Sequence, residues 1–259
     1  MCRHAIRESN LSVELLTHPA RTVLLDIEGT TTPLDFVRGV LFPYACSHAR
    51  AFLQQRRSSL DVRADSLALT EESMRDSSSG FSRPPTSVDS EDFDVEYVAA
   101  YVEWLSARDR KSTPLKSLQG KIWEEGYRSG RLRSPVFDDV PRAFGRWQGQ
   151  NRGISIFSSG SVLAQELLFA HTMSGDLTRF ISGYFDTTTG AKADSRSYQA
   201  ITQILRRAPP EIVFISDVNS ELDAAASAGL QTLLCMRPGN PTGTGTAHNL
   251  IHTFDEVFP

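Results

Sequence analysis

In Thr22-Val23-Leu24-Leu25-Asp26-Ile27-Glu28-Gly29-Thr30-Thr31, an apolar run of strand length ends in two carboxylates, a glycine and two hydroxyls. Burying two carboxylates side by side is costly unless a cation compensates them. The plainer use is an acidic turn that caps the next helix. Three later segments repeat the pattern. Ile154-Ser155-Ile156-Phe157 stops at Ser158-Ser159-Gly160-Ser161, where hydroxyls and backbone N–H groups at a strand-to-helix turn could cradle a phosphate oxygen, though serine is also a common N-cap. Gly190-Ala191-Lys192-Ala193-Asp194 puts a lysine just before an amphipathic stretch, where it could reach an anion or simply face solvent. Glu211-Ile212-Val213-Phe214-Ile215-Ser216-Asp217 is a further apolar run ending in a carboxylate, with Glu221 four residues on. In a parallel sheet Asp217 could join Asp26 and Glu28 as hard oxygen ligands suited to Mg²⁺. Four ordinary caps would leave the shared position at strand ends unexplained.

The elements that must position these residues alternate regularly. Strands are expected at 23–25, 154–157, 181–185, 212–216 and 231–235, with helices at 162–171, 195–207 and 219–228. Continuous apolar strands alternating with helices predict an α/β fold with a doubly wound parallel sheet, whose strand ends share one rim. The core is expected at 20–33 and 152–259. The stretch 34–151 is too long for a loop. Helical spacing at Phe36–Leu53, Glu96–Ala107 and Leu115–Ser129 predicts an inserted helical cap. Between the first two helices, about 56–92, the chain is rich in Ser, Arg and Asp and carries Pro84-Pro85, and a flexible loop is expected there.

Taken in order, the four segments resemble the motifs of the haloacid dehalogenase superfamily, in which strands end in Asp-x-Asp, in Ser or Thr, and in an acidic pair, with a Lys between the last two. The likeness is closer to the enolase-phosphatases (acireductone synthases) of methionine salvage. It is carried by Asp26-Ile27-Glu28-Gly29-Thr30-Thr31-Thr32-Pro33, Phe42-Pro43-Tyr44-Ala45, Ser158–Val162, Gly183–Thr188, Ser216-Asp217-Val218 with Glu221–Ala225, and Arg237-Pro238-Gly239-Asn240. The resemblance implies conversion of 2,3-diketo-5-methylthiopentyl 1-phosphate through an enediol phosphate to the acireductone and phosphate. It implies Asp26 as the nucleophile that forms an aspartyl-phosphate, and Ser158, Ser159 and Lys192 as substrate-binding residues. It also implies one Mg²⁺ per subunit on Asp26, Glu28 and Asp217. Glu28 stands where most of the superfamily has Asp and reaches about 1.5 Å farther. Whether Glu28 or a carboxylate of the cap removes the proton in enolisation stays open. Phe36, Val37, Leu41 and Phe42 could form an apolar slot for the methylthio tail, with packing of the cap as the competing use.

The whole chain sets limits on the classes available. Its 259 residues, 40% hydrophobic, allow a sizeable core plus a smaller cap. A net charge of −4 gives no basic footprint for nucleic acid. The three cysteines Cys2, Cys46 and Cys235 are scattered and odd in number, which fits a reducing compartment. Met1–Ala20 lacks the apolar core of a signal peptide, and no run has membrane-spanning length. These limits point to a cytoplasmic protein, small enough to enter the nucleus, with no nucleic-acid or membrane partner; the resemblance implies an enzyme acting on a small phosphorylated diketone, and a monomer is expected. A phosphorylation-receiver domain would lack the long insertion. A scaffold without activity would have lost one of Asp26, Ser158, Lys192 and Asp217.

Overall fold

The computed structural model describes residues 16, 19–76, 80–82, 93–108, 110, 112–240 and 247–259. Cys2, most of Met1–Ala20 and Pro84-Pro85 lie outside them. Six strands, β1 (Thr22–Leu25), β2 (Gly153–Phe157), β3 (Gly183–Phe185), β4 (Ile212–Ser216), β5 (Gln231–Cys235) and β6 (Asn249–Ile251), form one sheet in the order β3-β2-β1-β4-β5-β6. Every pairing is parallel. The chain moves outward from β1 to β3, then returns to β4 on the other side of β1. The strand order thus reverses beside β1, and open α/β sheets bind ligands in the crevice at such a reversal.

β1 is apolar throughout because it lies between β2 and β4 and is covered on both faces. Val23 and Leu25 pack into the larger core, with α6 (Asp139–Gly149), α7 (Val162–Ala170) and the insertion. Leu24 points the other way, into a smaller core built with α8 (Ser195–Leu205) and α9 (Asn219–Ser227) through Tyr198, Ile201, Leu222 and Ala225. Alternate residues of one strand therefore serve opposite layers. β6 was not expected, because three residues carry too little periodicity to signal a strand.

Between β1 and β2 lie α1 (Leu34–Phe36), a π-helical turn (Val37–Leu41), α2 (Phe42–Gln55), α3 (Leu60–Asp76), α4 (Val95–Ser106), α5 (Thr113–Arg128) and α6. Two of these differ from the expectation. α6 precedes residue 152, yet it packs on β2 and on the C-terminal turn, with the Trp147 indole donating to the Val257 carbonyl at 2.9 Å. α3 occupies much of the 56–92 segment expected to be a flexible loop. Its buried stripe is Val62, Ser66, Leu69 and Ser73, so half of the helical pattern is serine and the apolar period is diluted. The charges that gave the segment a disordered composition are paired with neighbouring helices. Lys121 meets Asp65 at 2.6 Å, Tyr101 donates to Asp76 at 2.6 Å, and Ser112 donates to Glu72 at 2.7 Å. No helix of the described residues is long and apolar enough to cross a membrane.

Candidate active site

Asp26 follows the last residue of β1, and its amide donates to the Ile215 carbonyl of β4 at 3.0 Å, which fixes it at the carboxyl edge of the sheet. The chain then turns sharply, and the amides of Thr30, Thr31 and Thr32 all reach the Ile27 carbonyl. Gly29 sits in this turn at φ +71°, and a Cβ there would stand 2.2 Å from Asp217 Oδ2. Glycine is needed twice over, for the left-handed backbone and for the close approach of Asp217.

Asp217 follows β4 and comes to the same edge. Its Oδ2 accepts from the Asn240 amide at 3.3 Å, and that amide also donates to the Gly29 carbonyl at 2.8 Å. Its Oδ1 is buried with no hydrogen-bond partner. Burial, and then the negative charge of Asp26, push the Asp217 carboxyl up to about 7.

Lys192 supplies one positive charge. Its Nζ lies 2.5 Å from Asp26 Oδ1 and 2.6 Å from Glu221 Oε2, with all three side chains nearly buried. Burial alone would lower its affinity for the proton. The two carboxylates outweigh that effect and hold the ammonium above its ordinary value. The loop that carries Lys192 is pinned from α8: Ser197 donates to the Ala191 carbonyl at 2.7 Å and Tyr198 to the Lys192 carbonyl at 2.8 Å. Burial and the repulsion of Asp26 raise Glu221, while Lys192 draws it down. Ser216 also donates to Glu221, at 3.0 Å.

Asp26 and Glu221 thus share one lysine, Asp217 stands near them, and one of its buried oxygens has no partner. Such an edge suits a divalent cation with a preference for hard oxygen ligands. Among the described residues, however, no three His, Cys, Asp or Glu side chains form a ready metal-holding group. Asp26, Glu28 and Asp217, the three metal ligands expected from the sequence, are placed differently from one another. Asp26 is engaged by Lys192 and Asp217 lies under Gly29, while Glu28 lines a cavity beside them.

That cavity separates the sheet edge from the insertion. Polar residues that line it include Glu28, Arg38, Arg110, Lys116, Ser158 and Ser159, and apolar ones include Val37, Leu41, Phe42 and Trp123. Phe42 and Trp123 stack with centroids 6.1 Å apart, and the Trp123 indole donates to the Leu41 carbonyl at 2.8 Å. Of the four residues considered for an apolar slot, Phe36 instead joins the core. Ser158 is buried after β2, with its hydroxyl accepting from the Gly160 amide at 3.2 Å, and Ser159 is exposed beside it. Ser161 caps α7 by accepting from the Ala164 amide at 3.3 Å.

Comparison with known proteins gives a family. Residues 20–229 match the haloacid dehalogenase-like hydrolases. Enolase-phosphatase E1 of Synechococcus elongatus is 48% identical over 236 residues, covering 91% of this chain and 97% of the relative. The protein of the same name from Drosophila simulans is 43% identical over 222 residues, with 85% of each chain covered. This chain belongs to the enolase-phosphatase family. Among solved structures, the UTR4 protein of Saccharomyces cerevisiae superposes with a TM-score of 0.74 at 34% identity, covering 91% of this chain and 99% of the other. A dehalogenase at 16% identity and a TM-score of 0.52 shares the fold.

In this member of the enolase-phosphatases the fold brings Asp26, Lys192 and Asp217 together and puts Glu28, Ser158 and Ser159 on the adjoining cavity. Sequence reasoning left three contributors off the site. Glu221 was visible as a carboxylate one helical turn beyond Asp217. Asn240 lay within a quoted segment but had no assigned task. Lys116 had no signal at all, because nothing local marks a lysine on a helix of the insertion as facing a sheet edge.

Proposed function

We propose that this chain is a bifunctional enolase-phosphatase. It enolises 2,3-diketo-5-methylthiopentyl 1-phosphate and then removes the phosphate to give 1,2-dihydroxy-3-keto-5-methylthiopentene, a step of methionine salvage. The observation that carries the reading is the Asp26–Lys192 contact of 2.5 Å beside Asp217, next to a cavity lined by both polar and apolar side chains.

Phosphate transfer begins with Asp26. Lys192 holds its Oδ1, which orients the carboxylate and leaves the other oxygen to attack phosphorus. The product is an aspartyl-phosphate, and the leaving enediol oxygen departs. Asp26 and Glu221 hold Lys192 in its charged form before the transfer. Ser158, Ser159 and the backbone amides of that loop bind phosphoryl oxygens as their charge shifts. Asp26 and Asp217 would hold the divalent ion, Mg²⁺ by the preference of oxygen ligands, and its charge would offset the repulsion between carboxylate and phosphate dianion. Water then cleaves the acyl phosphate, which returns Asp26.

Enolisation needs a base against the carbon next to the ketone. Among the described residues, Glu28 is the carboxylate that lines the cavity. The proton therefore goes to Glu28. The methylthio tail occupies the wall of Val37, Leu41, Phe42 and Trp123, where its apolar carbons and sulfur leave water.

The test is direct. Purified protein with the diketone phosphate and Mg²⁺ is followed by ultraviolet absorbance of the enol and by phosphate release, beside Asp26→Asn. Phosphate release from the wild type and none from Asp26→Asn is expected. Equal rates in the two would end the assignment of Asp26.

A further inference from the structure

Phosphate transfer leaves the cations that line the cavity without a task. Lys116 stands in the first turns of α5, half-buried in the cavity wall, and its Nζ donates to the Ser159 carbonyl at 3.3 Å. This contact crosses from the insertion to the β2–α7 loop. Its acceptor is a neutral peptide oxygen, so the ammonium is anchored without being neutralised. The other cations are placed differently. Lys192 lies between Asp26 and Glu221. Arg110 lines the cavity, yet its guanidinium is tied to Asp76 at 2.9 Å and lies over the Trp104 ring at 5.4 Å. Arg38 also lines the cavity, but its broad delocalised fork suits a paired acceptor better than a single developing oxygen charge.

We infer that Lys116 is a catalytic residue of the enolisation half-reaction, the group that receives the negative charge on the ketone oxygen while Glu28 takes the proton from carbon. This rests on the substrate proposed above. The C–H bond breaks and its proton goes to the Glu28 carboxylate. The electron pair of that bond becomes the new C=C bond, and the carbonyl π pair settles on oxygen, against the Lys116 ammonium. The proton on Glu28 then passes to that oxygen, giving the enediol and leaving both side chains as they began. No oxidant or other reactant is needed. Leu115, next to Lys116, and Trp123 line the same cavity, so apolar side chains stand near the ammonium. A fixed positive charge placed opposite a forming oxyanion stabilises it without reorganising as the charge develops. The same anchor puts the ammonium beside the loop that holds the phosphoryl group, which sets the distance between phosphate and enolising carbon that a substrate must span.

Lys116→Met and Lys116→Arg test the inference. Enol formation from the diketone phosphate is read by ultraviolet absorbance, and phosphatase chemistry is read separately with p-nitrophenyl phosphate. Thermal melting checks that the variants are folded. Lys116→Met is expected to slow enol formation about 100-fold, the scale of losing one oxyanion donor. Release of p-nitrophenol should fall less, so that the ratio of enolisation to phosphatase rate drops about tenfold or more. Lys116→Arg should recover part of the enolisation rate, since it keeps the charge but not the position. Equal loss in both assays would make Lys116 a structural or phosphate-binding group and overturn the inference. So would an Lys116→Met enzyme that enolises as fast as wild type. A wild-type protein that hydrolyses p-nitrophenyl phosphate but leaves the diketone phosphate untouched would overturn the functional reading, and this inference with it.

Discussion

Arg237 and Asp139 form an ion pair of 2.8 Å in which both side chains are almost wholly buried. Arg237 Nε also donates to the Thr30 carbonyl at 3.0 Å, in the turn that follows Asp26. Its guanidinium lies between the rings of Phe137 and Phe254, 4.5 and 4.6 Å from their centroids. Asp139 Oδ2 in turn accepts from the Phe254 amide at 2.5 Å. The Phe137 amide donates to the Thr31 carbonyl at 3.1 Å. One buried pair therefore joins the turn where the chain leaves the sheet, the segment by which it returns, and the C-terminal turn.

Removing one member of this pair strands the other charge in the core. Arg237→Met is expected to lower stability by about 3–5 kcal/mol in urea unfolding. The double variant Arg237→Met/Asp139→Asn should recover a large part of that loss, because no buried charge is then left alone. A single variant within about 0.5 kcal/mol of wild type would mean that the pair does not stand in the core.

Gly29→Ala strikes the site rather than the fold. The new Cβ meets Asp217 Oδ2 and the backbone must keep φ +71°. Phosphate release is expected to fall about 100-fold or more, as displacements near 1 Å do at reacting groups. Stabilisation of the protein by added Mg²⁺, read as a rise in Tm, should shrink in parallel. Normal activity would show that Asp217 has no need of its present position.

Cys235 offers a pH test away from the site. Burial pushes its thiol up to about 12 from an ordinary value near 9. Iodoacetamide at pH 8 is expected to leave Cys235 unmodified in the folded protein and to label it after denaturation, as read by peptide mass spectrometry. The sign of the alkaline effect follows from proton counting. Above about pH 9 the unfolded thiol loses its proton while the folded one keeps it, so the unfolded state binds fewer protons and stability falls as pH rises. Wild type should lose stability relative to Cys235→Ala over that range, and a constant difference would contradict the burial.

α3 gives the last test. Leu69 is fully buried in a segment whose composition reads as a loop. Leu69→Ala is expected to cost about 2–5 kcal/mol. A cost below about 0.5 kcal/mol is the value for an exposed position and would remove the helix from the packed structure.

The apolar runs Val23–Leu25, Ile154–Phe157 and Ile212–Ile215 are legible without coordinates, because strands buried on both faces have no polar alternation. From them follow the parallel sheet and the positions of Asp26, Ser158 and Asp217 at its carboxyl edge. Period and chain order are local properties, written directly in the residues. α3 escaped because serines occupy half of its buried stripe, and its charges find partners only on other helices.

Partnership across the chain is a different kind of fact. Lys192 meets Asp26 across 166 residues, and Arg237 meets Thr30 across 207. Asn240 steadies Asp217, Glu28 lines the cavity, and Lys116 crosses to Ser159. No spacing encodes these meetings, because each depends on the order of strands in the sheet and on where the insertion settles against it. The sequence by itself determined which residues could react and at which strand ends they stand. The tertiary structure decided which of them share a charge, since electrostatic coupling depends on distance through space and on burial rather than on separation along the chain.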